Sequence, residues 1–138
     1  MAEKIQMLLL VVLLVLFASP VVASPDVQEG SWEITIVSEM SGMALKMPPQ
    51  KHTQCLKSDA LVPTDPQMPQ NCVIKDQRVN GNTVNWAMEC SIEGVKTVST
   101  GSIIYEGESF SGTMDVAISG TDMKVVNTMS GRRLGPCK

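Results

Sequence analysis

The stretch "NCVIKDQRVNGNTVNWAMEC", residues 71–90, decides the fold class. Val84, Trp86, Met88 and Cys90 fall on one side of a two-residue period, with Asn85, Ala87 and Glu89 on the other, and such alternation marks a strand with one buried face. Asn80-Gly81 is the best hairpin signal in the chain, because both residues tolerate the positive φ of tight β turns. The segment therefore reads as two antiparallel strands. Cys72 begins the first and Cys90 ends the second, so the hairpin brings both to the same end. A three-residue loop Asn80-Gly81-Asn82 would set them directly opposite one another.

Outward from this hairpin the same period continues. "SWEITIVSEM" (31–40) alternates Trp32, Ile34 and Ile36 against Glu33 and Thr35. A turn at Glu93-Gly94 leads into the Ser- and Thr-rich strand "VKTVSTGSIIYEG" (95–107), and Gly107 marks the next reversal. "FSGTMDVAI" (110–118) places Phe110, Met114, Val116 and Ile118 on one face, "SGTD" turns, and "MKVVNTMSGRRLG" (123–135) directs Met123, Val125 and Met129 inward. Turn residues recurring at roughly ten-residue spacing predict an all-β protein. The expected form is an antiparallel meander, a single strongly bent sheet or open barrel. Residues 56–71 interrupt it, since prolines at 63, 66 and 69 deny ladder hydrogen bonds. There "SDALV" (58–62) predicts one short helical turn capped by Ser58.

The N-terminus is read apart from the fold. Lys4, an apolar run from Met7 to Phe17 and the small-residue stretch "ASPVVAS" make the layout of a secretory signal peptide, residues 1–23, with cleavage after Ala23 and Val21 at the minus-three position. The run is too short to span a bilayer, which takes ~20 residues, so no stable membrane span is expected after cleavage. Residues 24–138 then form one small disulfide-linked β domain. All four cysteines lie in that part, none in a C-x-x-C pair. Paired cysteines in an oxidising, periplasmic or secreted setting fit this better than zinc or thioredoxin-like chemistry.

Connectivity follows from strand counting. Three further strands separate Cys90 from Cys137, which leaves Cys137 at the far end of the sheet from the Cys72–Cys90 pair. It must then pair with Cys55, with the proline-rich excursion carrying the chain from one end to the other.

"GSWEIT" (30–35), "TQCL" (53–56), the 71–90 hairpin, "FSGTM" (110–114) and "GRRLGPC" (131–137) together resemble the domain-of-unknown-function family 3617 of small exported proteobacterial proteins. The resemblance covers nearly the whole chain after residue 23. It implies export to a periplasm and one β-rich domain with paired cysteines, and it supplies no activity or catalytic residues.

Function is bounded mainly by exclusion. A net charge of −3 gives no basic footprint for nucleic acid. Triads and Cys-His pairs need a histidine base, and the chain has one, His52, beside Pro48 and Pro49. A carboxylate-based hydrolase is the enzymatic alternative, but Glu33, Glu39, Asp76, Glu89, Asp115 and Asp122 mostly alternate with apolar positions and belong on solvated faces. No enzyme, cofactor or metal is expected. The sharp alternative is the segment "EMSGMALKMPPQKHTQC" (39–55). Thioether and imidazole ligands suit copper, so Met40, Met43, Met47 and His52 form the candidate copper set. Their irregular spacing, and methionine's use as apolar filler elsewhere in the chain, argue against it.

The remaining functional reading is a non-catalytic binding or structural module. A concave face lined by Met40, Met47, Met88, Met114, Met123, Met129 and Trp86 would hold a small apolar molecule or a protein partner. The competing reading is that these side chains fill the interior, since aromatic residues make up only 4% of the chain. Of Arg132 and Arg133, strand alternation sends one to solvent and lays the other over the end of the sheet.

Overall fold

The hairpin forms as strands β3 (Cys72–Asn80) and β4 (Thr83–Ile92). The computed structural model describes residues 25, 27–43, 45–64 and 71–138, so the expected signal peptide and its cleavage site lie outside the described residues. The turn is tighter than expected. Asn80 pairs with Thr83, leaving a two-residue loop in which Gly81 alone takes positive φ, at 56°, as a type II′ turn requires. That register, left unbroken, would put Cys72 opposite Ser91. A bulge between Ile74 and Asp76 shifts it by one, so that Cys72 faces Cys90. Lys75 is the extra residue. The two cysteines are bonded, with Cα atoms 4.0 Å apart.

Five more strands extend this pair: β1 (Gly30–Met40), β2 (Gln50–Leu56), β5 (Val95–Glu106), β6 (Ser109–Ile118) and β7 (Lys124–Gly135). All pairings are antiparallel, and the spatial order is β2-β1-β7-β6-β5-β4-β3. From β3 to β7 the chain is a meander. β1 then closes against β7, and β2 against β1, leaving β2 and β3 as the two free edges of an open sheet.

Two sequence expectations need correction here. Residues 50–56, to which the sequence pattern assigns no strand, form β2. His52, Gln54 and Leu56 alternate inward there, and only the leucine carries the hydrophobic signal. At residues 57–60 the chain makes one tight turn closed by Ala60 N–H to Lys57 O at 2.9 Å, with no helix among the described residues. Ser58 caps nothing. Its backbone N–H and hydroxyl both donate to Glu29 Oε1, at 3.0 and 2.7 Å, so the hydroxyl serves a tertiary acceptor instead of accepting from a helical N–H.

One face of the sheet carries the core: Trp32, Ile34, Leu56, Val84, Trp86, Met88, Cys90, Ile103, Tyr105, Phe110 and Met129. Its curvature follows from side-chain distances. β1 and β5 are separated by β7 and β6, a span of ~14 Å if flat, yet the Trp32 and Tyr105 rings meet edge to face with centroids 6.2 Å apart. Phe110 lies between them, 5.7 Å from Trp32 and 5.5 Å from Tyr105. The sheet therefore curls around this face. Residues facing the rings are small where they must be. A Cβ at Gly131 would stand 2.0 Å from the Phe110 ring.

Candidate functional site

The concave face has two unlike halves. At one end, where Gly30, Leu56 and Tyr105 lie, the aromatic cluster is roofed by the segment after β2. Leu61, Val62 and Pro63 are buried against it, and the Tyr105 hydroxyl donates to Leu61 O at 2.6 Å. Burial raises the Tyr105 pKa well above the ordinary tyrosine value. Trp32 Nε1 donates to Gln28 O at 3.0 Å. The Gln54 amide holds the roof from below, donating to Thr64 Oγ1 and accepting from Thr64 N–H, both at 3.1 Å. Glu29, receiving both Ser58 donors, has its carboxyl held below the usual carboxylate range, the backbone N–H contributing most. This end is closed.

Toward the other end the same face changes character. Ile36, Met40, Met114, Val116, Ile118 and Val125 are only half-buried. Ser38 donates to Asn127 Oδ1 at 2.5 Å, and Ser99 and Asn127 are buried among these side chains' strands. Beyond lie exposed apolar tips: Ile92 and Val95 of the β4–β5 turn, Met123 of the β6–β7 turn, and Met43 and Leu45 after β1.

Of the expected concave methionines, Met88 and Met129 belong to the same buried core cluster as Trp86. Met40, Met47 and Met114 are half-buried. Met123 was expected to face inward and instead sits in the turn, 45% exposed, because β7 begins only at Lys124. The copper candidates are spread out. His52 stands opposite Ile34, with its Nε2 shielded from solvent and without a hydrogen-bond partner. Met40 lies six positions further along β1 from Ile34, ~20 Å at strand rise. Met47 is held by its N–H to Ser38 O at 3.0 Å, and Met43 is 57% exposed in the loop. Among the described residues no group of three His, Cys, Asp or Glu side chains is placed to hold a metal.

Four of the six candidate carboxylates are engaged by cations at the surface. Glu33 faces Lys51 at 3.6 Å and Arg132 at 3.5 Å, Glu39 faces Lys46 at 2.8 Å, Asp76 faces Arg78 at 3.1 Å and Glu89 faces Lys75 at 3.4 Å. Asp115 and Asp122 are exposed. The adjacent arginines divide as alternation predicts. Arg132 is solvent-exposed, while Arg133 folds over the sheet end and donates through Nε to Glu29 O at 3.0 Å. A shallow depression of about 200 Å³ beside Asp76, Arg78 and Asn85 gathers no buried polar group other than the wall residue Trp86.

These features define a class: a small, open, antiparallel β sheet curled over one half-filled apolar face and held by two disulfides, Cys72–Cys90 and Cys55–Cys137. Residues 27–137 match the family model described as "Protein of unknown function (DUF3617)", and the chain belongs to that family. Comparison with curated proteins and with solved structures finds no match. Among the described residues no helix is long and apolar enough to cross a membrane.

Proposed function

We propose that this protein is an exported, non-catalytic binding module that takes a small apolar molecule against the open half of its concave face. One observation carries this reading. The aromatic cluster and the Leu61–Pro63 roof fill one end of the face, whereas Ile36 and Met114, at the edge of the core cluster, and Val116, Ile118 and Val125 beyond them are only half-buried toward the other. Apolar side chains left in water at the mouth of a curled sheet gain by being covered, at ~25 cal/mol per Å².

The chemistry of the face favours a hydrocarbon chain over an extended peptide. A buried peptide must satisfy its own N–H and C=O groups, and the side chains on this half of the face are mainly apolar, with Ser38 and Asn127 already bonded to each other. Two disulfides support an oxidising compartment, as does the signal-peptide reading of residues 1–23. A lone histidine placed opposite Ile34 and carboxylates engaged by lysine and arginine support a non-catalytic role.

Native mass spectrometry of protein isolated from the exported fraction, before and after delipidation, tests the reading. A bound mass that delipidation removes and that added long-chain fatty acid restores is expected. Val116→Asp should abolish the restored binding while leaving the circular dichroism unchanged. Apoprotein at every stage, with no shift on adding fatty acid, would sink the proposal.

A further inference from the structure

The two disulfides occupy opposite environments. Cys90 is 7% exposed within the core and its partner Cys72 is half-buried against the same cluster. Cys55 and Cys137 are both exposed. Thiol–disulfide exchange requires a thiolate to reach one sulfur and the other to depart as a thiolate, so exposure favours the second pair. Charge favours it as well. Lys138 follows Cys137, and Lys57 lies two residues after Cys55; cations near a cysteine favour its thiolate.

The position of this bond in the sheet is equally particular. Cys55 lies on the edge strand β2 opposite Ser31 of β1, and Ser31 in turn faces Gly135 of β7. Cys137 follows Gly135 by two residues, so the bond, with Cα atoms 5.5 Å apart, straps β2 to the end of β7 across β1. β2 runs directly into the Leu61–Pro63 roof, which Gln54 of β2 holds through Thr64 and Tyr105 of β5 holds through the Leu61 carbonyl.

We propose that Cys55–Cys137 is a thiol-exchange site, a surface strap that an external dithiol opens while Cys72–Cys90 stays closed, releasing β2 and the roof it leads into. A thiolate of the dithiol attacks one of the two sulfurs, breaking the Cys55–Cys137 bond and expelling the other sulfur as thiolate. The dithiol's second thiolate then attacks the mixed disulfide. Cys55 and Cys137 leave as two thiols, and the two electrons they gain are those lost by the dithiol as it closes to its own disulfide. The site does not depend on any ligand being bound to the concave face.

The test uses the folded, fully oxidised protein and dithiothreitol as the probe. Samples quenched with an alkylating agent over time are mapped by peptide mass spectrometry. Cys55 and Cys137 should label about ten-fold or more ahead of Cys72 and Cys90, with a singly reduced species accumulating. Labelling of all four together, or of Cys72 and Cys90 first, overturns the proposal. Hydrogen exchange on the Cys55→Ser/Cys137→Ser variant separates a local strap from general unfolding. Exchange should rise furthest in β2 and residues 61–64, above the common rise that loss of the long-loop cross-link imposes on β4, β5 and β6. A rise by the same factor in all strands, or no rise in β2 beyond that of the others, overturns it.

Discussion

Trp86 and Gly101 face each other across β4 and β5, and the indole occupies the space a side chain at 101 would need. A Cβ there would stand 2.1 Å from Cζ2 and 2.4 Å from Cε2 of the ring. Gly101→Ala should therefore displace the indole and cost about 1–3 kcal/mol, and Trp86→Ala about 3–5 kcal/mol, close to the whole stability of so small a domain. Combined with Trp86→Leu, Gly101→Ala should add little, since the clashing ring is gone. Chemical denaturation of Gly101→Ala, Trp86→Leu and their double variant measures this coupling. Strict additivity would dissolve it, and a Trp86→Ala protein that stays fully folded while losing its bound ligand would move Trp86 from the core to a binding face.

Tyr105 is the chain's single tyrosine, so its ionisation is read directly by absorbance. Burial raises its folded pKa, whereas the unfolded chain ionises near the usual ~10. Above that pH the unfolded state gives up a proton that the folded state keeps. Stability contributed by this group is thus complete below about pH 10 and falls by about 1.4 kcal/mol per pH unit above it. Tyrosinate absorbance should appear together with unfolding. Ionisation near pH 10 with the fold intact would contradict it. Tyr105→Phe removes this slope, but leaves the buried Leu61 carbonyl unpaired at a cost of about 1–3 kcal/mol.

The disulfides differ in the chain they constrain, with sequence separations of 18 and 82. On the chain-entropy account, removing Cys72–Cys90 by paired Ala substitution should cost about 3 kcal/mol and removing Cys55–Cys137 about 4.5 kcal/mol. Urea denaturation of the two double variants checks the order. A larger loss from the shorter loop would mean that native packing around Cys90 outweighs loop entropy.

A Met40→Leu/Met43→Leu/Met47→Leu triple variant should fold with nearly unchanged stability, since Leu and Met exchange for under ~1.5 kcal/mol each when volume is kept. Met43 is exposed and the other two half-buried, which places this protein well inside that limit. Cu(I) titration should show no stoichiometric site in the parent. Tight binding by the parent that vanishes in the variant would restore the copper reading of Met40, Met43, Met47 and His52.

Strands with an apolar partner at every second position declared themselves. Val84-Trp86-Met88-Cys90, Trp32-Ile34-Ile36 and Phe110-Met114-Val116-Ile118 needed no neighbours to be recognised, because a half-buried strand repeats every two residues. β2 did not, since its inward residues are His52, Gln54 and Leu56. Its strand character comes from seven ladder pairs with β1, and backbone hydrogen bonding leaves no mark on side-chain periodicity. The candidate site was legible only as a list of methionines. Which of them are filler, as Met88 and Met129 are, and which stay half-exposed, as Met40 and Met114 do, depends on where the Leu61–Pro63 roof ends.

By itself the sequence determined a single antiparallel β domain, its turns at Gly81, Gly94, Gly107 and Gly120, and a strand count that sends Cys55 toward Cys137. These rest on local chemistry: period-two burial, positive-φ turn residues and the parity of crossings. Only the tertiary structure decided how Cys72 comes to face Cys90, because a two-residue turn alone would have paired it with Ser91, and the compensating bulge at Lys75 is a register shift with no side-chain signature. It likewise decided that Leu61 and Val62, two apolar residues in a proline-rich connection, roof one end of the curled face, while Val116, Ile118 and Val125 toward the other are only half-buried. Such packing is set by contacts between residues distant in the chain, Tyr105 with Leu61 and Trp32 with Phe110, whose free energy no local pattern records.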